Sequence, residues 1–347
     1  MENGELFKHI RQDKGLTLRQ LTDEQNSLSF ISKFENGERD ITMRRFEHLL
    51  DKINVTIEEF YFLKHQSTEG QTAVTFSQIP AYLSSPFYSY LDRILHINAQ
   101  IDSINDPADF TDRYMTAKKQ LEKVASELKA TSQWQRFLRL YIQLLQQIYD
   151  INMANTGFLD SLDNQLSATQ FDIFFKRQMA DFRQISLPIV SYLYKVENWS
   201  IYEVTLFRFF LFTFSMDTII QLLPIALKRT TKMKDFTVMN DMRCELIFSA
   251  VSTFANFNQL KAADDALSLA YDTLNDSKDL LNSNQLVFYN GWIDILKGHK
   301  KTGTKKCQSA ITIFAALNQP KLAKSYQNIL KHILLKSQNK SFPTYFS

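Results

Sequence analysis

The segment LTLRQLTDEQNSLSFISKFENG, residues 16–37, contains the start and stop signals of two short helices joined by a tight turn. Thr17 stands before the first helix and Gln20 follows three residues later, which is the spacing of a capping box. Ser27 begins the second helix, where its hydroxyl can accept a free backbone N–H, and Gly37 ends that helix. The segment therefore predicts a helix-turn-helix.

Further short helices flank this segment on both sides. Apolar residues recur at helical spacing before it, in GELFKHIRQDK, and after it, in MRRFEHLLDKI and IEEFYFLK. Thr42 and Thr56 precede the last two segments as caps. Five helices joined by very short loops predict one compact domain, residues 1–64.

The chain changes character after this domain. Residues 65–86 are polar and contain Gly70, Pro80 and Pro86, a composition typical of a linker or hinge. Across residues 87–347 apolar side chains recur every three or four positions, which predicts antiparallel helix pairs. In the last third, helices rich in small residues (KAADDALSLAY, KKCQSAITIFAAL) alternate with bulkier ones, as in tetratricopeptide-like repeats, although the strict repeat signature is not matched. The predicted fold class is all-α, with an N-terminal five-helix helix-turn-helix domain followed by a degenerate tetratricopeptide-like helical repeat domain.

Composition narrows the class of protein. The 347 residues include only 8 glycines and 7 prolines and carry a net charge of +3. The two cysteines, Cys244 and Cys307, are far apart, which fits a reducing cytoplasm better than a disulfide framework. No secretory signal opens the chain. The apolar stretch from residue 206 to residue 227 is long enough to cross a membrane, but Arg208 and Asp217 interrupt it, so a buried helix is the better interpretation.

The sequence contains no recognisable enzyme motif. Its six histidines are scattered without an HExxH pair for a metal. Neither a Gly-x-Ser-x-Gly elbow nor a glycine-rich phosphate loop occurs. We therefore expect no catalytic activity, no metal and no cofactor.

The second helix of the predicted helix-turn-helix is the expected DNA-recognition helix. Helical periodicity turns Ile31 and Phe34 inward. The residues that then face outward, toward a DNA groove, are Leu28, Ser29, Phe30 and Lys33. Lys33 is the best candidate for a base contact, because lysine donates to the acceptor atoms of guanine. Phe30 is unusual on such a face. It could contact a thymine methyl group, or it could equally belong to the core or to a dimer interface.

Positive charge for the DNA backbone is present locally. Residues 1–64 contain ten basic and twelve acidic residues, a net of −2, so a binding face depends on clustering rather than on net charge. The basic side chains that can gather on one side are Arg19, Lys33, Arg39, Arg44 and Arg45. Of these, Arg19 and Arg39 join Lys33 as candidate DNA contacts. Thr17 and Ser27 are expected mainly to cap helices, although a capping residue close to a DNA phosphate can also contact it.

The heptapeptide ISKFENG, residues 31–37, fits the I-x-x-[LF]-E-x-G pattern of phage-repressor-like helix-turn-helix proteins. The whole chain resembles the Rgg/GadR/MutR family of Gram-positive transcriptional regulators, most closely over residues 16–60. The resemblance implies a cytoplasmic homodimer that binds double-stranded promoter DNA and responds to a short signalling peptide in the concave face of its repeats, as in quorum sensing. It also implies a structural ion pair between Arg11 and Glu35. Some relatives carry a cysteine where this chain has Met43, so an inter-chain disulfide at that point is not available here.

A peptide-binding site needs polar side chains among apolar pockets, because an extended peptide has unpaired main-chain groups. The candidate peptide contacts in the repeat region are Asn152, Asn155, Tyr194, Asn240, Arg243 and Asn290. Each of them is alternatively a helix-end or loop residue. Arg208 is a further candidate, because it lies in an apolar stretch and needs a partner, either on a neighbouring helix or in the terminal charge of a ligand.

Two other functions stay open on the sequence alone. The first is a helical scaffold that binds a partner protein and uses the N-terminal domain for docking. The second is a constitutive repressor without a peptide ligand. Loss of DNA binding on substitution of Lys33 argues against the first, and a response of DNA occupancy to spent medium argues against the second.

Overall fold

The computed structural model describes residues 2–68, 85–102, 110–159, 168–275 and 278–336. These residues form sixteen α-helices and two short 3₁₀ helices, and no β-strand occurs within them. The prediction of an all-α fold is confirmed. The chain divides into two compact units, residues 1–127 and 128–347, and each is described by itself.

Five helices open the first unit: α1 (Asn3–Asp13), α2 (Leu18–Leu21), α3 (Leu28–Glu35), α4 (Met43–Lys52) and α5 (Ile57–Thr68). They enclose a buried core in which the Phe34 ring is central. Its centre lies 5.8 Å from that of Phe7 and 5.9 Å from that of Phe46, and Phe46 lies 4.9 Å from Phe60. Burial of each such side chain contributes about 1.5–3 kcal/mol. These contacts join all the helices except α2 into one core.

The turns between these helices follow the capping residues that the sequence predicts. The backbone N–H of Thr17 donates to Oε1 of Gln20 at 2.7 Å. Oγ of Ser27 accepts the backbone N–H of Phe30 at 3.3 Å, which begins α3. Gly37 follows α3 with a φ of +73°, a left-handed conformation that glycine adopts without a steric penalty. Local chemistry therefore sets where the two helices of the motif begin and end.

Two longer helices, α6 (Pro86–Asp102) and α7 (Phe110–Glu127), complete the described part of the first unit and pack against each other. Arg93 links them, because its Nη1 and Nη2 donate to the two carboxylate oxygens of Glu127 at 2.7 and 3.0 Å. Both side chains remain partly exposed to solvent. The pair is a surface ion bridge with near-ideal geometry.

The predicted linker is helical at both of its ends. Residues 65–68 belong to α5, and Pro86 begins α6. Residues 69–84 lie outside the described residues. The division into residues 1–64, 65–86 and 87–347 stays a prediction.

The second unit is built of packed helices with the connectivity of a repeat array. Its helices are α8 (Gln133–Leu159), α9 (Ala168–Lys195), α10 (Ile201–Phe210), α11 (Met216–Arg229), α12 (Thr237–Asn256), α13 (Leu260–Leu274), α14 (Leu280–Leu296), α15 (Lys300–Ala316) and α16 (Pro320–Lys336). Consecutive helices pack together from α11 to α16. Alternate helices also meet, α10 with α12, α12 with α14, and α14 with α16. Contact with neighbours one and two helices away is typical of stacked helical repeats.

Three turns in this unit share one geometry. Asn258, Gly298 and Asn318 each stand two residues beyond a helix and adopt left-handed φ values of +57°, +93° and +57°. In each turn the next residue donates its N–H to a carbonyl in the preceding helix, at 2.8, 2.9 and 2.9 Å respectively. This is the hydrogen bond of a Schellman helix end. The same turn also ends α1, α3 and α4, so it is a common helix end and does not by itself indicate internal repetition.

The apolar stretch from residue 206 to residue 227 forms two helices, not the single buried helix that we predicted. Helix α10 ends at Phe210, and α11 begins only after Ser215. Oγ of Ser215 accepts the backbone N–H of Thr218 at 3.1 Å, so a helix cap lies inside the stretch. Asp217 lies exposed in the first turn of α11. Within the described residues, no helix combines the length and the apolar character that crossing a membrane requires.

Candidate nucleic-acid interface and ligand site

Helix α3 presents one face to the core and the other to solvent. Ile31 and Phe34 are buried on the inner face, as helical periodicity predicts. On the outer face Ser29 and Lys33 are exposed, and Leu28 is 42% exposed despite its apolar side chain. The side chain of Lys33 forms no hydrogen bond or ion pair with a described residue, so its ammonium group is available to a ligand.

A buried ion pair fixes α3 against α1. Nε and Nη2 of Arg11 donate to the two carboxylate oxygens of Glu35 at 2.6 and 2.8 Å. Nη1 of Arg11 donates to the carbonyl of Leu16 at 2.6 Å. The hydrogen bond with Glu35 is the largest cause that raises the pKa of Arg11. The pair connects α1, α3 and the turn after α1, and its burial removes it from contact with a ligand.

Asp23 holds the turn between α2 and α3 and connects it to α4. Its Oδ1 accepts the backbone N–H groups of Gln25 and Asn26 at 2.9 and 2.8 Å. Its Oδ2 lies 2.7 Å from Nζ of Lys52 and 2.5 Å from Nε2 of His48, both on α4. The hydrogen bond with Lys52, followed by that with His48, holds the pKa of Asp23 far below its ordinary value. One carboxylate thus fixes the turn that sets the angle of the recognition helix.

Most basic side chains at the helix-turn-helix and on α4 form no ion pair within the domain, Lys52 being the exception. Five exposed ones form no ion pair in the described part of the chain: Arg19, Lys33, Arg39, Arg44 and Arg45. The carboxylates of Asp23 and Glu35 are already engaged by Lys52 and Arg11. These five basic groups are therefore available to a ligand although residues 1–64 carry a net charge of −2. Exposed carboxylates also lie in these segments, at Glu24, Glu38, Asp40 and Glu47.

The remaining predicted DNA contacts lie where the sequence places them. Thr17 and Ser27 are exposed at the N-termini of α2 and α3, and Arg19 is exposed on α2. Arg39 lies in the loop after α3. The structure thus gathers Thr17, Arg19, Ser27, Leu28, Ser29 and Lys33 on the two helices of the motif. Their contact with DNA stays a prediction.

Phe30 does not occupy its predicted outward position. It is only 8% exposed and belongs to the core of the domain. The guanidinium carbon of Arg39 lies 5.5 Å from the centre of its ring, and that of Arg45 lies 4.9 Å from it. The two arginines come from the loop after α3 and from α4, so periodicity within α3 does not reveal them. Burial of the ring contradicts a direct contact with a thymine methyl group.

In the second unit, Arg208 finds its partner on a neighbouring helix. Its Nη1 lies 2.6 Å from a carboxylate oxygen of Glu245, which joins α10 to α12. Burial raises the pKa of Glu245 to about 7 against the opposing effect of Arg208. Tyr289 of α14 is close enough for both charges to influence its pKa, which burial raises to about 12. An arginine in an apolar stretch needs a partner, so the sequence indicates that Arg208 has one, but it does not indicate which residue that partner is.

An aromatic stack adjoins this ion pair. The Tyr289 ring lies 4.8 Å from that of Phe248, with only 4° between their planes, and 6.0 Å from that of Trp292. The stack extends from α12 to α14. Glu245, Tyr289, Phe248 and Trp292 are absent from the predicted contacts, because their closeness arises from packing between helices.

The other candidate peptide contacts have different surroundings. Nε and Nη1 of Arg243 are buried and have no hydrogen-bond partner among the described residues, and burial lowers the pKa of Arg243. Asn240 is half-buried three residues earlier on α12. Nδ2 of Asn290 donates to the Leu286 carbonyl of its own helix at 2.8 Å. The hydroxyl of Tyr194 donates to Oε1 of Gln221 at 3.0 Å, between α9 and α11.

Arg208, Asn240, Arg243 and Asn290 thus lie on three helices, α10, α12 and α14, of which α12 packs against both others. The side chains of Asn152 and Asn155, both in α8, lie outside the described residues. Peptide contact by any member of the set stays a prediction.

Comparison with known proteins shows which family and which solved structures the chain is similar to. Residues 174–328 match the family described as "HTH-type transcriptional regulator Rgg, C-terminal domain". No curated protein sequence matches the chain. Solved structures, in contrast, share its fold over almost its whole length.

Three of these structures illustrate the likeness. A Listeria monocytogenes EGD-e protein assigned as a transcriptional regulator is 19% identical, with 97% of this chain and 98% of that chain covered and a TM-score of 0.70. The SHP pheromone receptor Rgg2 of Streptococcus dysgalactiae is 19% identical, with coverage of 96% and 100% and a TM-score of 0.65. PlcR of Bacillus thuringiensis, solved with the peptide PapR7 and DNA, is 12% identical, with coverage of 93% and 98% and a TM-score of 0.51. At these identities the likeness establishes the fold.

The described part of the chain is all-helical, with an N-terminal helix-turn-helix and the fold of these solved regulators. Residues 174–328 are similar to the C-terminal domain of Rgg transcriptional regulators, and the whole chain shares the fold of solved regulators such as Rgg2. The family and the structural relatives are regulators, not enzymes.

Proposed function

We propose that the chain binds double-stranded promoter DNA through α3 and regulates transcription in response to a short signalling peptide. The observation that carries the DNA-binding part is the exposed face of α3, where Lys33 has no partner within the domain. A recognition helix enters the major groove with such a face, and a lysine at its centre suits the acceptor atoms of guanine. Arg11 and Glu35 hold the helix rigidly behind that face.

The peptide is proposed to bind in the second unit, on the layer formed by α10, α12 and α14. Rgg2, a pheromone receptor, and PlcR, solved with a peptide and DNA, share the fold. The layer combines an aromatic stack in which Tyr289 is partly exposed, the Arg208–Glu245 pair, and two nitrogen atoms of Arg243 that have no hydrogen-bond partner among the described residues. This combination suits a peptide, whose side chains fill apolar pockets while polar residues pair with its main chain or termini. Tyr194, Arg208, Asn240, Arg243 and Asn290 are the proposed contacts.

The regulator is proposed to act in the cytoplasm as a homodimer and to take part in quorum sensing. Helix-turn-helix proteins recognise paired half-sites, and a protein with two-fold symmetry matches a palindromic operator. A monomer at micromolar concentration in sedimentation would contradict this part of the proposal and leave the DNA-binding helix in place.

Footprinting on DNA that flanks the gene, with and without spent medium containing peptide, tests the proposed function. Two protected major-groove faces, about one helical turn or a multiple apart, and a change on addition of medium are the expected result. Protection that is indifferent to medium would contradict the peptide response and favour a constitutive repressor. No protection would contradict DNA binding and favour the scaffold.

A further inference from the structure

We propose that Arg39, Arg45 and the Phe30 ring form a clamp for a DNA backbone phosphate, in which Phe30 positions the two arginines. The inference rests on the proposed DNA binding and assigns a role to a ring that does not face the groove. The three residues come from different segments, namely α3, the loop after it, and α4. We call this set the arginine clamp.

The geometry of the arginine clamp is that of a cation–π contact made twice. The guanidinium carbons lie 5.5 and 4.9 Å from the centre of one ring, within the distance at which an aromatic face attracts a cation. The ring is 8% exposed, whereas both arginines are exposed residues. Phe30 is therefore a fixed platform, and the arginines that cover it keep access to solvent and to a ligand.

The charges of the clamp point to an anion as its ligand. Two positive groups beside one ring repel each other, and within the described part of the chain neither forms an ion pair with a carboxylate. A phosphodiester supplies the missing negative charge, and its oxygens match the planar fork of donors on each guanidinium. Contact with the ring already restricts the arginine side chains before the ligand binds. Binding therefore costs less conformational entropy, because the site is partly organised in advance.

The position of the clamp assigns its ligand to the DNA backbone, not to the bases. Phe30 follows the exposed Leu28 and Ser29 on α3, so the arginines reach the recognition helix near its N-terminal end. Contacts with phosphate fix the orientation of a protein on the duplex and carry no sequence information directly. The clamp thus sets the position of α3, and Lys33 is left to distinguish bases.

The test measures binding of the full chain to a labelled duplex of random sequence between about 50 and 200 mM salt. Arg39→Gln and Arg45→Gln are each expected to weaken binding and to reduce the slope of log K against log salt concentration by about 1 per protomer. Lys324→Gln, at an exposed position on α16, removes the same charge elsewhere and is expected to leave the slope unchanged.

The role of the ring is tested by two substitutions of Phe30. Phe30→Leu keeps an apolar core residue without the π face and is expected to weaken binding about three- to tenfold, as an ordered arginine becomes mobile. Phe30→Tyr keeps the face and should retain affinity. In a chain that also carries Arg39→Gln and Arg45→Gln, Phe30→Leu should have no further effect, which a purely structural role would not predict.

The outcomes separate the clamp from the function on which it rests. If the unsubstituted chain does not bind the duplex even at low salt, the proposed DNA binding fails and the clamp fails with it. If the unsubstituted chain binds and both arginine variants behave like Lys324→Gln, only the clamp is overturned. Should Phe30→Leu prevent folding, the two arginine variants and Phe30→Tyr still decide the matter.

Discussion

Removal of one partner from the Arg11–Glu35 pair should lower the free energy of unfolding of the N-terminal domain by more than removal of one partner from an exposed pair. The Arg11→Met substitution deletes three hydrogen bonds, two to Glu35 and one to the Leu16 carbonyl, and leaves a buried carboxylate without a partner. Breaking a buried pair in this way costs about 3–5 kcal/mol. The loss of stability should mainly affect α1 and α3, because the pair joins those two helices.

The chain offers a matched control in the Arg93–Glu127 pair. It is also a bidentate arginine–glutamate pair, although Arg93 donates through Nη1 and Nη2 where Arg11 uses Nε and Nη2. Its side chains are 44% and 33% exposed, whereas those of Arg11 and Glu35 are 8% and 3% exposed. Water and salt screen an exposed pair, so Arg93→Met should cause a much smaller loss. Burial is the main difference between the two pairs, although Arg11 also donates to the Leu16 carbonyl and Arg93 also lies against the Tyr90 ring.

Hydrogen exchange of the backbone amides in α3 is the appropriate assay, because a chain of several domains does not unfold in two states. One tenfold change in exchange rate corresponds to about 1.4 kcal/mol, so Arg11→Met should accelerate exchange by about two to four orders of magnitude. The double variant Arg11→Met/Glu35→Leu removes both charges and should recover most of the protection. Equal effects of Arg11→Met and Arg93→Met, or no recovery in the double variant, would refute the reasoning.

Three further predictions follow from close packing and from a buried carboxylate. Gly4→Ala places a Cβ 1.9 Å from the Phe34 carbonyl oxygen, so α1 and α3 must move apart. We expect the backbone amides of α3 to lose protection against hydrogen exchange, and unchanged protection would contradict the observed packing. Gly303→Ala places a Cβ 2.5 Å from the Gly291 carbonyl oxygen between α15 and α14, so circular dichroism should show a lower melting temperature, and an unchanged one would argue against this close approach. Because burial raises the pKa of Glu245 to about 7, above its value of about 4.3 in an unfolded chain, its stabilising effect is complete below about pH 4 and is lost as the pH rises to about 7. Relative to Glu245→Gln, the backbone amides of α12 in the unsubstituted chain should therefore lose about 3 kcal/mol of hydrogen-exchange protection over that range, and a constant difference would exclude the raised pKa.

The sequence predicts the helix-turn-helix well because its signals are local. The Thr17 and Gln20 contact, the Ser27 cap and the left-handed Gly37 each depend on residues within a few positions of one another. Helical periodicity likewise places Ile31 and Phe34 on the buried face. Features of this range are encoded in short segments and can be recognised without a structure.

Features that depend on distant packing are not predictable in the same way. The Phe30 side chain belongs to the core of the domain, where Arg39 and Arg45 also contact its ring, and nothing within α3 indicates these contacts. Arg208 pairs with Glu245, which lies two helices further along the chain. The apolar stretch that contains Arg208 suggests one helix, since a serine cap inside it is a weaker signal than apolar periodicity. In each case the deciding contact joins separate helices.

The most direct test of the central claim is to select DNA from a random pool with the full chain and with its Lys33→Ala and Arg45→Gln variants. We predict that the unsubstituted chain enriches a motif of two half-sites, that Lys33→Ala loses the preference at one base position in each half-site, and that Arg45→Gln binds the same motif more weakly. Failure of the unsubstituted chain to enrich any motif, or an unchanged motif with Lys33→Ala, would contradict the assignment of α3 as the helix that reads DNA.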